Sequence, residues 1–535
     1  MVNSLSLVVR GGTVYDGTGA PGRTGDLLVA GDRVIGVGTA PAEHGARVLD
    51  ATGLAVVPGF VNILSHAWPA MLVDGTAESE LRQGVTTEVF GEADSPGPAD
   101  ARYGDYLRDI YEADRPAAFP RLGDGLDALV AGGVSPNVAS FVGGANLRYL
   151  AAGFADRPLA PAELDRIRGL LAEELADGAL GLGTALIYPP GRYADTAELA
   201  ALCQVVAEHD GLYISHLRSE AERLLPALAE LLELHRRTGV RAEVYHLKAA
   251  GRANWPAMRT AVDRIAAARA AGTPVGANMY PYEAGGNPLG SCIPPRFHAG
   301  GPAALAGRLA DPAQRAAMAT ALREQTDGFE NLFLAAGGGT GVRLLRDLAD
   351  GTPAQGRTLA EVAAGFGLDG ADGLLEIVAR DPWLPAAYFF VDPANLELGL
   401  AQDWVCVGSD ASAHPAAPPW SERATHPRTY GSFARILGHY CRDRGRFGFP
   451  EAVRRMTSLP ADRLRLAGRG RLTPGSYADL VVLDPATVAD TATWEDPHRY
   501  AVGVREVVVN GTVALAGGEV TTARPGRRLR RRGGG

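Results

Sequence analysis

The chain has 535 residues, 46% of them hydrophobic and 21% charged, with a formal net charge of -9. This length exceeds one average domain and suits an enzyme-sized barrel with an accessory domain. The composition is globular, no apolar run is long enough to cross a bilayer, and the acidic balance gives no footprint for nucleic acid.

Residues 5–57 read as short strands separated by turns at Gly11-Gly12, Asp16-Gly17 and Gly31-Asp32. Met1 to Arg10 carry no charged region followed by an apolar one, so the expected location is cytoplasmic. From residue 58 to 468, short apolar runs alternate with amphipathic helical stretches, the grammar of parallel strands covered by crossover helices. Eight runs are candidate strands: Val57 to Leu64, Thr86 to Phe90, Val138 to Val142, Ala179 to Gly183, Leu212 to Ser215, Arg241 to Tyr245, Val275 to Met279 and Trp404 to Gly408. Eight such units suit an α/β chain folded as a (β/α)₈ TIM-type barrel, in which catalytic groups sit at the C-terminal strand ends. Residues 283–402 are too long for one βα connection and read as an inserted lid or substrate-covering subdomain. Strand grammar returns in residues 469–535, at Asp479 to Leu483, Glu506 to Val509 and Thr512 to Leu515, so both termini can share one small β-domain. The run Arg527, Arg528, Arg530, Arg531 and Arg532 before three glycines reads as a disordered, solvated tail.

Two histidines stand directly after β-type runs one barrel unit apart: His216 after Leu212-Tyr-Ile-Ser, and His246 after Ala242-Glu-Val-Tyr. A lone histidine is more often a hydrogen-bonded core residue, but two at equivalent strand ends favour shared chemistry. Glu92 ends an earlier strand in the same way, and a His₂Glu set with one open position is a known catalytic zinc arrangement. Asp410, after Gly408-Ser409, can exchange a proton with a metal-activated water, although Gly-Ser-Asp is also ordinary turn chemistry. Among 52 basic residues Lys248 is the single lysine, and a flexible ammonium is not replaced by a guanidinium in a tight site. Cys203, Cys292, Cys406 and Cys441 lack CxxC spacing and read as core residues. Gly337-Gly-Gly-Thr-Gly341 is no phosphate loop, since no Gly-Lys-Ser/Thr follows.

Together, Val9-Arg-Gly-Gly-Thr-Val-Tyr-Asp-Gly-Thr-Gly19, Pro58-Gly-Phe-Val-Asn62, Gln83-Gly-Val-Thr-Thr87, Ser215-His-Leu-Arg218, His246-Leu-Lys-Ala-Ala-Gly-Arg-Ala-Asn254, Tyr280-Pro-Tyr282, Gly408-Ser-Asp410 and Pro474-Gly-Ser-Tyr-Ala-Asp479 resemble the amidohydrolase superfamily. More narrowly they resemble its N-acyl-D-amino-acid deacylase branch, in order and over nearly the whole chain. The resemblance implies a metal-bearing barrel (58–468) and a β-sandwich built from 1–57 and 469–535. It further implies that His216 and His246 bind the tightly held metal, that Asp410 is the general acid/base, that Lys248 meets a substrate carboxylate, and that Tyr188 and Tyr280 line the pocket. Both tyrosines adjoin proline and can equally be turn-packing residues.

The chain departs from that branch in two places. The branch has a cysteine where this chain has Ala93, so Glu92 is the substitute ligand, with Asp94 the weaker candidate. The branch has Asp-x-His-x-His on the first strand, whereas this chain reads Asn62-Ile-Leu64-Ser-His66. Leu64 cannot coordinate a metal, so one Zn²⁺ or other divalent ion per chain is expected, leaving His66 to bond Asp410 or the substrate. The resulting expectation is hydrolysis of an N-acyl-D-amino acid, a small molecule bearing a carboxylate, by a chain with no nucleic-acid or membrane partner and a possible homo-oligomeric state. The alternatives are a D-residue peptidase or cyclic-amide hydrolase, and an inactive barrel serving as a binding or scaffold protein.

Overall fold

Eight parallel strands of three to six residues form the centre of the chain: β1 (Phe60–Asn62), β2 (Val85–Phe90), β3 (Asn137–Ser140), β4 (Gly181–Ala185), β5 (Leu212–His216), β6 (Arg241–Val244), β7 (Val275–Met279) and β8 (Val405–Val407). The computed structural model describes residues 5–41, 45–111, 118–324 and 329–531. β1, β2 and β3 pair in sequence, as do β4 to β8, and Val142–Gly143 carries the third strand onto β4. The Asp410 N–H donates to the Leu64 carbonyl at 2.9 Å beside a Ser65–Ala411 bridge, which brings the last strand back to the first. Helices between the strands cover the outside, so the strands are buried on both faces and consist mostly of apolar or small residues, with buried polar groups such as Asn62, Glu88, Asn137 and Asn278 among them. The barrel interior includes Val61, Leu64, Val89, Phe141, Ile214 and Cys406.

The first expected strand, Val57 to Leu64, divides in two. Ala55–Pro58 pairs antiparallel with Leu480–Leu483, and only Phe60–Asn62 enters the barrel. Gly59 makes the passage, because a Cβ there would lie 2.1 Å from Thr86 Oγ1. The remaining terminal strands, from Leu7–Val14 to Glu519–Val520, extend this junction into a nine-stranded sheet. Leu7, Val9, Leu27, Val29, Val56, Leu480 and Val508 form its apolar core. Within residues 283–402, Ala284–Pro288, Pro385–Phe389 and Val342–Leu344 form an antiparallel sheet accompanied by helices Pro302–Ala310, Pro312–Glu324 and Gly370–Arg380. All four cysteines are buried and free. Among the described residues no helix is long and apolar enough to cross a membrane.

The C-terminal arginines correct the expectation of a solvated tail, except Arg532 and the glycines after it, which lie outside the described residues. The Val138 N–H donates to the Arg527 carbonyl at 2.9 Å, and the Leu529 N–H donates to the Val138 carbonyl at 2.8 Å. Arg528 lies 3.0 Å from Asp127 and also pairs with Asp177. The start of β3 and these two carboxylates thus supply backbone and charge partners that a composition argument does not see.

Near this end of the barrel, Glu243 on β6 is fully buried, and neither carboxylate oxygen has a hydrogen-bond partner among the described residues. Burial pushes its carboxyl up to about 7 against the opposing pull of Arg463, Arg269 and Arg241. A carboxyl raised in the folded state keeps its proton where the unfolded chain has lost it, so its contribution to stability falls as pH rises from about 4.5 to about 7. Glu243→Gln removes that loss. The variant's melting temperature relative to wild type is expected to be higher at pH 8 than at pH 5, as measured by calorimetry; a pH-independent difference would contradict this.

Candidate metal centre

The strand ends turn sharply at the barrel mouth. Gly91 (φ 109°) and Ala93 (φ 57°) flank Glu92 after β2, His246 (φ 32°) follows β6, and Asp410 (φ 52°) follows β8. Positive φ is uncommon outside glycine and costs on the order of 1–3 kcal/mol. Three non-glycine examples at one mouth indicate that the surrounding structure fixes these turns. The His246 N–H donates to Asn278 Oδ1 at 2.9 Å, and Asp410 is held by its bond to Leu64.

Glu92 Oε1 lies 2.9 Å from His246 Nε2 and 3.1 Å from His216 Nδ1, and the three donor atoms fall within 4.8 Å of one another. All three residues are buried. Burial alone would raise the Glu92 carboxyl, but His246, His216 and His66 hold it well below the usual carboxylate range. One anionic oxygen and two imidazole nitrogens converging in a buried space are a donor set that accepts zinc, with manganese or iron as other ions of fitting preference. The observed donors therefore fit a divalent metal. Asp94 does not join them, since it bonds the Tyr103 hydroxyl.

A second carboxylate braces the two imidazoles from behind. Glu220 lies 2.9 Å from His246 Nδ1 and 3.5 Å from His216 Nε2. Lys248 Nζ donates to Glu220 at 2.7 Å and lies 2.8 Å from His246 Nδ1. Burial would raise the Glu220 carboxyl, but His216, Lys248 and His246 hold it at about 2. The Glu220 N–H donates to buried Glu330, whose carboxyl is pushed up to about 8 by burial and the Glu220 charge.

On the other side, His66 Nε2 sits 3.1 Å from Asp410 Oδ1 and 3.2 Å from Glu92 Oε2. Burial opposes protonation of His66, but the two carboxylates raise its pKa to about 10. The Arg428 guanidinium bonds Asp410 Oδ2. Burial would raise the Asp410 carboxyl, yet Arg428 and His66 bring it to about 2. Leu64 is buried in the apolar barrel interior and packs so closely on Gly408 that a Cβ there would lie 2.7 Å from the Leu64 Cβ. Tyr188 stands edge-on to His216 at 5.4 Å and accepts a hydrogen bond from Asn287. Tyr280 lies under the Arg428 guanidinium at 4.9 Å and Lys248 Nζ at 5.7 Å, and its hydroxyl has no hydrogen-bond partner among the described residues.

The residues singled out in the sequence, His66, Glu92, Tyr188, His216, His246, Lys248, Tyr280 and Asp410, together with the weaker candidate Asp94, line one cavity. Glu220, Glu330 and Arg428 line it too, and the sequence reading had missed them. Glu220 stands four residues after His216, a position that links it to the site only once the loop after β5 folds back. Arg428 lies 18 residues beyond Asp410, and no spacing rule connects them.

The amidohydrolase family model matches residues 47–515. D-aminoacylase of Alcaligenes xylosoxydans xylosoxydans is 34% identical over 517 residues, covering 95% of this chain and 94% of the relative. A solved D-aminoacylase, described for a binuclear metal centre with one-metal activation and second-metal attenuation, superposes with a TM-score of 0.83 at 32% identity, covering 98% of this chain and all of the other. The N-acyl-D-glutamate deacylase of Bordetella bronchiseptica, solved with zinc and a phosphonate mimic of the tetrahedral intermediate, gives 0.82 at 31% identity with the same coverage.

Proposed function

Because the chain belongs to the amidohydrolase family, we propose that it hydrolyses N-acyl-D-amino acids to a carboxylic acid and a free amino acid, with one divalent metal held by Glu92, His216 and His246. The observation that carries this reading is the convergence of those three donors beside Asp410, which His66 links to Glu92. The D configuration and zinc rest on the similar deacylases. A metal bound there supplies Lewis acidity, polarising a carbonyl and bringing the pKa of water to about 7. Asp410 accepts the proton from water and returns it to the departing nitrogen, which leaves as an amine. Held at about 2 by Arg428 and His66, Asp410 is ionised at neutral pH.

A single metal is supported by the first strand. Leu64 fills a coordinating residue's place with packed hydrocarbon, while His66 and Arg428 set the chain's own cationic groups against Glu92 and Asp410. Lys248, the expected carboxylate anchor, reaches the cavity wall but donates its hydrogen bonds to Glu220 and the His246 carbonyl. Lys248 thus acts through Glu220, and we assign the substrate carboxylate to the Tyr280 hydroxyl, which has no hydrogen-bond partner among the described residues and lies beneath the Arg428 and Lys248 cations.

Glu220 orients both metal-binding imidazoles, and loss of such an outer carboxylate typically lowers metal affinity about 10- to 100-fold. Glu220→Gln is expected to show that loss in a competition titration against a chelator, with full metal occupancy regained at excess zinc; unchanged affinity would remove Glu220 from this role. For the reading as a whole, the test combines elemental analysis with a panel of acyl-D-amino acids, acyl-L-amino acids and dipeptides. About one metal per chain and turnover confined to the acyl-D compounds are expected. A chain that takes up no metal from replete medium, or that turns over only dipeptides, would overturn it.

A further inference from the structure

The cavity is larger than the reaction centre requires. Its volume is about 1160 Å³, above the range of roughly 300–1,000 Å³ typical of pockets that enclose a drug-sized ligand. An acetylated amino acid is far smaller than such a ligand. Its walls also divide by chemistry. Metal-binding and proton-transfer groups gather at the barrel mouth, whereas an uncharged wall is built by Tyr106, Phe154, Leu305, Leu309, Val378 and Trp383, all lining the same cavity.

This wall begins at the metal centre. Asp94, two residues after Glu92, bonds the Tyr103 hydroxyl, and the Tyr103 ring stacks on Tyr106 at 5.6 Å. Tyr106 in turn meets Phe154 edge-on at 4.8 Å and Trp383 at 5.6 Å. Phe154 adjoins Gly301, where helix Pro302–Ala310 brings in Leu305 and Leu309. The rings and aliphatic side chains thus form one surface leading away from Glu92. An anionic substituent has poor prospects along it. Asp94 guards its inner end with a carboxyl, and Arg315, which also lines the cavity, is paired with Glu376 at 2.8 Å.

We infer that the substrate carries a long, uncharged, apolar acyl group that lies along this wall. The inference rests on the amide-hydrolysis reading, because the acyl group is the part of such a substrate that extends away from the scissile carbon on the side opposite the amino acid. The neutral wall also sets the expected chemistry apart from acceptance of a second carboxylate in the acyl arm.

The experiment is a chain-length series of N-acyl-D-leucines, from acetyl to decanoyl, assayed for turnover with the wild-type protein and for binding by calorimetry with the Asp410→Asn protein. Burial of each methylene is worth up to about fourfold, so kcat/KM and affinity are both expected to rise by at least 100-fold across the series. Leu309→Glu, which places a charge on the wall, is expected to lower the decanoyl-to-acetyl ratio at least tenfold. Acetyl-D-leucine bound and hydrolysed as well as the decanoyl compound would overturn the inference and leave the hydrolase reading intact. Decanoyl-D-leucine bound at least 100-fold more tightly than acetyl-D-leucine but not hydrolysed would support the apolar site while overturning the hydrolase reading. Failure to bind any member of the series would overturn both.

Discussion

Asp410→Asn is expected to lower kcat by two to four orders of magnitude, the usual worth of a positioned general acid/base, while the metal content stays at the wild-type level. Asparagine is the informative replacement because Asp410 has a φ of 52°, a conformation that asparagine tolerates better than most residues. Its amide oxygen can still accept a hydrogen bond from buried Arg428 or from His66, so the change removes charge and basicity more than shape. Asp410 is also outside the proposed metal set, which couples its loss to the proton transfer and leaves the ligands in place. Some loss of thermal stability should accompany the substitution, since the Arg428 guanidinium is largely buried and loses its anionic partner. Steady-state kinetics, elemental analysis and a melting curve on the same preparation separate these effects. A kcat within a few-fold of wild type in a fully metallated variant would assign the proton transfer to another group; loss of the metal along with activity would make Asp410 a ligand instead.

The parts of this molecule that were legible in the sequence are those governed by local grammar. Apolar runs followed by polar residues located β2, β5, β6 and β7 to within about two residues, and the histidines at the ends of two of them proved to be neighbours in space. That Leu64, where the resemblance implies a ligand, binds no metal was equally plain, because no environment makes a leucine side chain coordinate one. What stayed hidden depends on contacts between distant segments. Glu220 looks like one more charge near a helix until the chain brings it behind both imidazoles. Arg428 lies beyond a proline-rich loop, and its partner is fixed only when β8 and the segment after it close over the mouth. The tail failed for a related reason: arginines and glycines suggest solvation, but Asp127, Asp177 and the start of β3 lie where they can bind it. Gly59 shows the same limit at a strand boundary, since its role follows from the approach of Thr86 and not from its neighbours in sequence.

Glu92→Gln is expected to lower metal affinity at least 100-fold and, at limiting zinc, to remove nearly all activity. Glu92 Oε1 faces both His216 and His246, so it is the anionic member of an otherwise neutral donor set. Glutamine keeps the side-chain length and an oxygen donor but removes that charge, which makes the substitution a test of coordination more than of packing. The neighbouring position offers a rescue that a purely structural defect would not allow. Ala93 lines the same cavity and stands where the resemblance in the sequence implies a cysteine. A thiolate introduced there returns a negative charge and a soft donor suited to zinc. Ala93→Cys in the Glu92→Gln background is therefore expected to recover at least tenfold in affinity, read by chelator competition and independently of turnover. Since alanine already adopts a φ of 57° at this position, cysteine meets a backbone turn that the fold maintains with a Cβ present. Full metal occupancy and undiminished activity in Glu92→Gln alone would exclude Glu92 from the ligand set. The two histidines would then have to recruit their third partner from Asp410, or from Glu220 on the far side of the rings.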